Sequence, residues 1–392
     1  MDDVASALAA DAGIEGSQRR VREGIVLCLS GGGYRAMLFH LGVLQRLNDA
    51  AYLPKLSRIS SVSGGSIIAG VLGLAWPKLA FDTCGRAQQF QRLVVHPVRM
   101  LASTTIDAPA VIRGFLGLGT ASDHIADAYR THLFGDHTLQ DLPDDGAGPR
   151  FVFNASNMQS GVLLRFSRPY AWDYRVGQIK HPTIDLAVAV AASSAFPPFL
   201  SPTVLHLPDG SFTPGSGTDL QAPPYTTRMT LTDGGVYDNL GLETAWKTYR
   251  TVLVSDGGGR MRPDTIAWYK HNWFSQLLRV RDVTDNQVRA LRKQQVIDSF
   301  MLPAQDPSHR DGSYWGIWTD ITHYGLMDTL PCPFEKTAKL ATISTRLARV
   351  EGRTQERLIN WGYAVCDAAL RKWVDSSIPV PTGFPFPIAA VG

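Results

Sequence analysis

Two junctions of one design lie close together near the start of this chain. In "GIVLCLSGGGYRA" (24–36) an apolar run enters three consecutive glycines and leaves as a helical pattern. In "LSRISSVSGGSII" (56–68) a second run passes through Ser63-Gly64-Gly65 and leaves the same way. A strand that becomes a helix within so few residues is one βα unit. Two such units in succession require a parallel sheet, wound right-handedly, with helices against its faces.

The spacing predicts strands at 24–30 and 56–62 and helices at 34–49 and 64–76; Met37, Leu38, Leu41, Leu44 and Leu47 supply the helical period of the first. The strand signal returns at 150–157, 228–235 and 250–259 as continuous apolar runs, which suit strands covered on both faces. "DLAVAVAAS" (185–193) fits such a strand or a short buried helix equally well. The expected class is therefore α/β, three layers around a mostly parallel central sheet.

Around that sheet the chain divides into a polar N-terminal segment (1–22), a main α/β unit (23–260) and a helical C-terminal extension (261–392) packed on the same domain. Residues 77–149 show short helical patterns without a clear strand and read as an insertion or cap. "LPDGSFTPGSGTDLQAPPYTT" (207–227) is dense in turn-forming residues and predicts a mobile surface loop. Helical periodicity continues over 274–300 and 333–374.

A net charge of +3 on 392 residues gives no global argument for nucleic acid as a partner. The four cysteines, Cys28, Cys84, Cys332 and Cys366, are far apart and fit structural thiols in a reducing compartment, so the chain is expected in the cytoplasm. The first 22 residues lack the pattern of a secretory signal. The longest clean apolar run, 66–76, is too short to span a bilayer. Membrane contact, if made, is then peripheral.

The glycine loop offers backbone N–H groups to something negative. Gly31-Gly32-Gly33-Tyr34-Arg35-Ala36 satisfies the dinucleotide fingerprint in its Ala-ending form. That fingerprint also needs a carboxylate at the end of the second strand, and Ser61-Val62-Ser63-Gly64-Gly65 stands there instead. No Gly-Lys-Ser/Thr follows the glycines, so the phosphate-cradling loop fails as well. A serine between small residues at a strand-to-helix turn is a nucleophile elbow, close to G-x-S-x-G with Ser61 in place of the first glycine. Both junctions share the carboxyl edge of the sheet, with adjacent strands about 4.8 Å apart. The amides of Gly31, Gly32 and Gly33 are therefore placed to hold an oxyanion formed when Ser63 attacks an acyl carbon.

The motifs "GGGYRA" (31–36), "SVSGG" (61–65) and "TDGGVYDNLGLE" (232–243), with "FVFNASNMQSG" (151–161) and "AVAASSAFPPFLSP" (189–202) between them, resemble the patatin-like phospholipase family over roughly residues 24–260. Ser61 and Ala36 depart from that family's glycines. The resemblance implies a three-layer α/β/α fold and a Ser63–Asp233 dyad that cleaves lipid carboxyl esters, in the manner of a phospholipase A or lysophospholipase. It implies neither a catalytic histidine nor a cofactor or metal. The family's basic residue falls on Arg35, expected to brace the loop or to meet a lipid phosphate. The implied partner is a phospholipid or other lipid ester, reached by peripheral contact with a membrane.

Two rivals stand beside this reading. A conventional α/β-hydrolase would add a histidine after the acid, and His271, His309 and His323 follow Asp233 in the chain. A silent lipid-binding or regulatory protein would keep the fold without turnover. Asp256 in "SDGGG" is a second aspartate of the same local type as Asp233. The basic stretch 279–293 reads as a solvated face or an anionic-membrane contact, and 90–119 as an interfacial cap or buried packing.

Overall fold

The structure is a computed structural model and describes residues 21–117, 119–261, 263 and 272–392. Nearly all of the 1–22 segment and His271 lie outside the described residues. The first two βα units run β1 (Arg22–Leu29), α1 (Gly33–Asp49), β2 (Leu56–Ser61) and α2 (Gly64–Ala75). Three short helices follow, α3 (His96–Ala102), α4 (Asp107–Phe115) and α5 (Ala121–Tyr129), and then β3 (Arg150–Asn157). Next come β4 (Leu163–Phe166), β5 (Tyr170–Asp173), β6 (Gly177–Lys180), α6 (Leu186–Ser193), β7 (Thr203–His206), β8 (Arg228–Asp233), α7 (Gly235–Asp238) and β9 (Tyr249–Asp256). The C-terminal part holds α8 (Trp273–Met301), β10 (Asp311–Gly316), α9 (Phe334–Ala341) and α10 (Gly352–Trp373).

The strands form one sheet in the order β10-β9-β1-β2-β3-β4-β5-β6, with β8 and β7 attached to β3 off that path. Pairing is parallel from β10 to β3 and antiparallel beyond. Alternation along the central strands builds two cores. Leu27 and Leu29 of β1 face the core that holds α1, α2 and α10. Val26 and Cys28 face the other, with Leu240, Leu242 and Val296. Opposite faces of one strand thus bury against different helices, giving three layers.

Helices α1 and α10 cross with their backbones in contact. A Cβ on Gly42 would overlap the Ile359 carbonyl oxygen, and one on Gly362 would overlap that of Phe39. Beside this crossing, Arg46 of α1 pairs with Asp367 of α10 at 2.8 Å, both buried, and Arg371 completes the carboxylate's partners. The C-terminal helix is part of the main core.

Several sequence expectations are refined. The 185–193 segment is a helix, apolar all round because every side of it is packed. The 207–227 segment is tied to β6: its Thr213 N–H donates to the Gln178 carbonyl (2.8 Å), and the Gln178 N–H donates to its Ser216 Oγ (2.8 Å). Within 90–119, Val98, Leu101 and Ala110 pack into the core, whereas Ile112, Phe115 and Leu116 are exposed. Buried packing thus accounts for part of that stretch, and its other part lies on the surface. The 279–293 stretch is no free basic face, since Arg289 pairs with Asp256 and Arg292 with Glu243. No helix among the described residues is long and apolar enough to cross a membrane. The four cysteines form no disulfide.

Candidate active site

Ser63 caps α2 with φ 51° and ψ −119°, a left-handed conformation unusual for a residue with a side chain. The turn is tight because its neighbours have no Cβ. A Cβ on Gly64 would overlap the Gly33 carbonyl oxygen, and one on Gly65 the carbonyl of Leu29. The two βα junctions are thus wedged against each other, and only glycine permits the approach.

Serines secure the elbow from behind. The Ser63 N–H donates to Ser193 Oγ at 3.1 Å, and Ser193 Oγ donates to the Asn154 carbonyl at 2.7 Å. Ser66 Oγ lies 2.9 Å from Ser193 Oγ and donates to Ser61 Oγ at 3.0 Å. Asn154 Nδ2 donates to the Ser61 carbonyl at 3.0 Å, tying β3 to the end of β2. Ser61, the departure from the family's glycine, is therefore used as a hydrogen-bonding residue. Ser193 and Asn154 were not singled out from the sequence; both lie inside the motif-like stretches 151–161 and 189–202, but nothing marked their roles.

Asp233 ends β8, which runs antiparallel to β3 with Ala155 opposite Asp233. The structure brings Ser63 and Asp233 together in a nearly closed site, 8% and 4% exposed respectively. Burial pushes the Asp233 carboxyl up to about 7. The Gly235 N–H, which donates to Asp233 Oδ1 at 2.7 Å, and the Ser63 hydroxyl, a hydrogen-bonding neighbour of the charged form, act in the opposite sense. The charge of Asp285 on α8 adds a small upward push.

The three glycines behave differently. Gly31 N–H donates to the Asn239 carbonyl at 3.1 Å and is committed, contrary to the expectation that all three amides face a substrate. The reason is packing: a Cβ on Gly31 would lie 3.2 Å from the Ser63 Cβ, so this residue seats the serine. Gly32 (φ 143°) and Gly33 (φ 61°) turn the chain into α1, and among the described residues their N–H groups have no acceptor. The next amide, Tyr34, donates to the Arg346 carbonyl at 3.0 Å.

Arg35 is buried beneath the loop. Its Nε donates to the Gly257 carbonyl at 3.1 Å and its Nη1 to the Ile343 carbonyl. Nη2 has no partner among the described residues and lies 3.0 Å from the position a Cβ on Gly32 would take. Burial, with Arg289 nearby, lowers its pKa to about 10. Of the two expected roles, its contacts are those of a brace.

The other candidates are accounted for structurally. Asp256 is buried, yet Arg289 (2.6 Å) and the Tyr314 hydroxyl (2.6 Å) hold its carboxyl below the usual range. Asp238 accepts from the N–H groups of Leu240 and Glu243 and shapes the loop after α7. His309 sits beside Asp311, the first residue of β10, at the amino edge of the sheet, away from the carboxyl edge that bears Ser63; its ring nitrogens contact Leu302 O and Asp311. His323 lines a separate cavity beside Tyr314 and Trp318. His40 is buried between Ser255 Oγ and the Ser30 carbonyl, and burial lowers its pKa to about 4. None of the described histidines hydrogen-bonds to Ser63 or Asp233. Among the described residues no three metal-binding side chains cluster.

A glycine loop, a serine on a strained elbow and a buried aspartate, all at the carboxyl edge of an α/β/α sheet, define the class. Residues 27–246, more than half of the chain, match the Patatin-like phospholipase family, and the chain belongs to that family. Among solved structures it is similar to human GIVD cytosolic phospholipase A2, at 12% identity and a TM-score of 0.48, covering 94% of this chain and 63% of that one. The same human protein in complex with methyl gamma-linolenyl fluorophosphonate gives 15% identity, a TM-score of 0.46 and coverages of 93% and 60%. VipD from Legionella pneumophila gives 14% identity, a TM-score of 0.35 and coverages of 88% and 66%. The chain thus spans somewhat less than two thirds of these structures. No curated protein matches its sequence.

Proposed function

We propose that the protein is a serine acyl hydrolase that cleaves carboxyl esters of lipids, in the manner of a phospholipase A or lysophospholipase. The observation that carries this is the meeting of Ser63, on its strained elbow, with a buried Asp233 whose pKa is near neutrality. Ser63 Oγ attacks the ester carbonyl and passes its proton to Asp233 as the Oγ–C bond forms. The ester C–O bond then breaks, and the departing alcohol takes that proton. Water next attacks the acyl-enzyme, Asp233 accepts its proton, and the fatty acid leaves as Ser63 recovers a proton. A base with a pKa near the working pH is the efficient choice for such transfers.

The tetrahedral oxyanion is held by the N–H groups of Gly32 and Gly33. The charge of Arg35, buried behind Gly32, adds positive potential where the oxyanion forms. Each such donor typically contributes on the order of 100- to 1000-fold in rate. No step calls for a cofactor or metal.

The lipid is met at a membrane surface. Trp273, Leu277 and Val280 recur at helical spacing and are exposed along the first half of α8. That helix reaches the site's rim, where Arg281 lies over the Phe196 ring (4.5 Å) and donates to the Pro197 carbonyl. Sedimentation with phospholipid vesicles tests this contact: Leu277→Ala with Val280→Ala should leave more protein in the supernatant.

The activity is tested by incubating wild type and Ser63→Ala with phospholipid vesicles and reading products by mass spectrometry. Wild type should release free fatty acid and the matching lysophospholipid, and the variant neither. Equal release by both would overturn the assignment.

A further inference from the structure

A second cavity, of about 660 Å³, lies between the later turns of α8 and the chain that follows β10, apart from Ser63 and Asp233. Its volume is in the range of small-molecule sites. Arg260, Arg289 and Lys293 present cations to it, and Tyr314, Trp318 and Trp373 supply aromatic walls.

These groups are unevenly satisfied. Arg289 is spent on Asp256 and on the Gly258 carbonyl at 3.0 Å. Arg260 and Lys293 have no carboxylate partner among the described residues. Each instead lies over a ring: the Arg260 guanidinium carbon is 5.0 Å from the centre of Trp318, and Lys293 Nζ is 4.6 Å from that of Tyr314. Among the described residues the buried indole N–H of Trp318 has no acceptor, which is costly for a donor unless something fills the space beside it.

The acids facing the cavity do not supply what is missing. Asp256 is neutralised by Arg289, and Asp320 is turned toward the N–H and hydroxyl of Thr322 at 3.0 and 2.7 Å. Burial, and after Asp256's attraction the repulsion from Arg260 and Arg289, lowers the Lys293 pKa, as expected for cations sharing one space.

We propose that this cavity binds an organic phosphate, whose anionic oxygens accept from Lys293, Arg260 and the Trp318 indole while its organic part lies against the aromatic walls. Phosphate is favoured because it carries several anionic oxygens on one centre, so that an ammonium, a guanidinium and an indole N–H lining one cavity can each be given an acceptor. Arg289, which lines the cavity, donates to the Gly258 carbonyl, one residue from the Gly257 carbonyl that Arg35 holds, and neither Ser63 nor Asp233 lines the cavity.

Calorimetry on the full chain tests this with three probes: inorganic phosphate, glycerol 3-phosphate, and phosphatidylcholine vesicles with or without phosphatidic acid. Glycerol 3-phosphate should bind more tightly than inorganic phosphate. Preference for the phosphatidic acid vesicles over glycerol 3-phosphate would assign the source as lipid, and the reverse order a soluble metabolite. Lys293→Ala and Arg260→Ala should each weaken binding roughly tenfold or more, the loss expected for a charge-assisted hydrogen bond. Trp318→Phe, which keeps the ring, should weaken it several-fold. Lys293→Arg should retain binding and shows that the charge, not the fold, is read. Absence of binding by all three probes at millimolar concentration, or unchanged affinity in folded Lys293→Ala and Trp318→Phe, overturns the proposal.

Discussion

Ser63 and Asp233 reach one edge of β3 from opposite directions. β2 climbs that edge in parallel and stops with Ser61 opposite Phe153, and β8 descends it antiparallel until Asp233 stands opposite Ala155. The gap between the two strand ends is the candidate site. Its geometry follows from β2 being shorter than β3, which leaves room for a second strand on the same edge.

Burying Asp233 opposes folding whenever its carboxyl is ionised. The folded pKa, about 7, lies above the ordinary carboxylate value of 3.8, so the folded state binds the proton more tightly. Stability at this residue falls as pH rises between those values and is fully penalised above 7. Asp233→Asn should therefore raise the melting temperature at pH 8 by several degrees, corresponding to roughly 2–4 kcal/mol. At pH 4 it should change little. Thermal denaturation across pH measures both, and a shift independent of pH would contradict the burial argument.

Gly64→Ala should be severe. Its Cβ has nowhere to go but the Gly33 carbonyl, so the elbow and the glycine loop must part. An expected loss is at least 100-fold in ester hydrolysis, with destabilisation of about 2–3 kcal/mol or more. Gly352→Ala at the first turn of α10, where a Cβ meets nothing within 4 Å, should be neutral or slightly stabilising by comparison.

Ser193→Ala removes the acceptor of the Ser63 N–H and the donor to the Asn154 carbonyl. The fold should survive with a loss of about 1–3 kcal/mol. The rate should fall on the order of tenfold, because the serine loses the support that orients it. The decline should appear in kcat rather than in KM.

Arg35 separates a brace from a head-group receptor. Its contacts are to the Gly257 and Ile343 carbonyls. Arg35→Met should thus slow hydrolysis of a phosphate-free ester and of a phospholipid by similar factors. A loss confined to the phospholipid would assign it to phosphate recognition.

The sequence carried the layered fold wherever apolar runs were continuous, at β1, β2, β3, β8 and β9, and the two elbows because glycine has a specific steric use there. It did not carry β4, β5 and β6: strands of four residues, broken by Ser167-Arg168-Pro169 and Tyr174-Arg175-Val176, give too short a pattern for alternation to show. β10, "DGSYWG", is short and polar at its start because it forms the edge of the sheet. α6 stayed open between helix and strand because burial on all sides erases amphipathic period. Ser63 and Asp233, which the fold brings together in the candidate site, were legible from their motifs. The supporting roles of Ser193 and Asn154 were not, since a buried serine or asparagine in an apolar run has the same local signature whether or not it holds a nucleophile in place.

The most direct measurement is the rate and position of fluorophosphonate labelling, mapped by mass spectrometry across pH for wild type and Asp233→Asn. Labelling should fall on Ser63 alone and rise with pH through an apparent pKa near 7, and the variant should react at least 100-fold more slowly at every pH. Label on another residue, or a variant that reacts as fast as wild type, would contradict the Ser63–Asp233 chemistry.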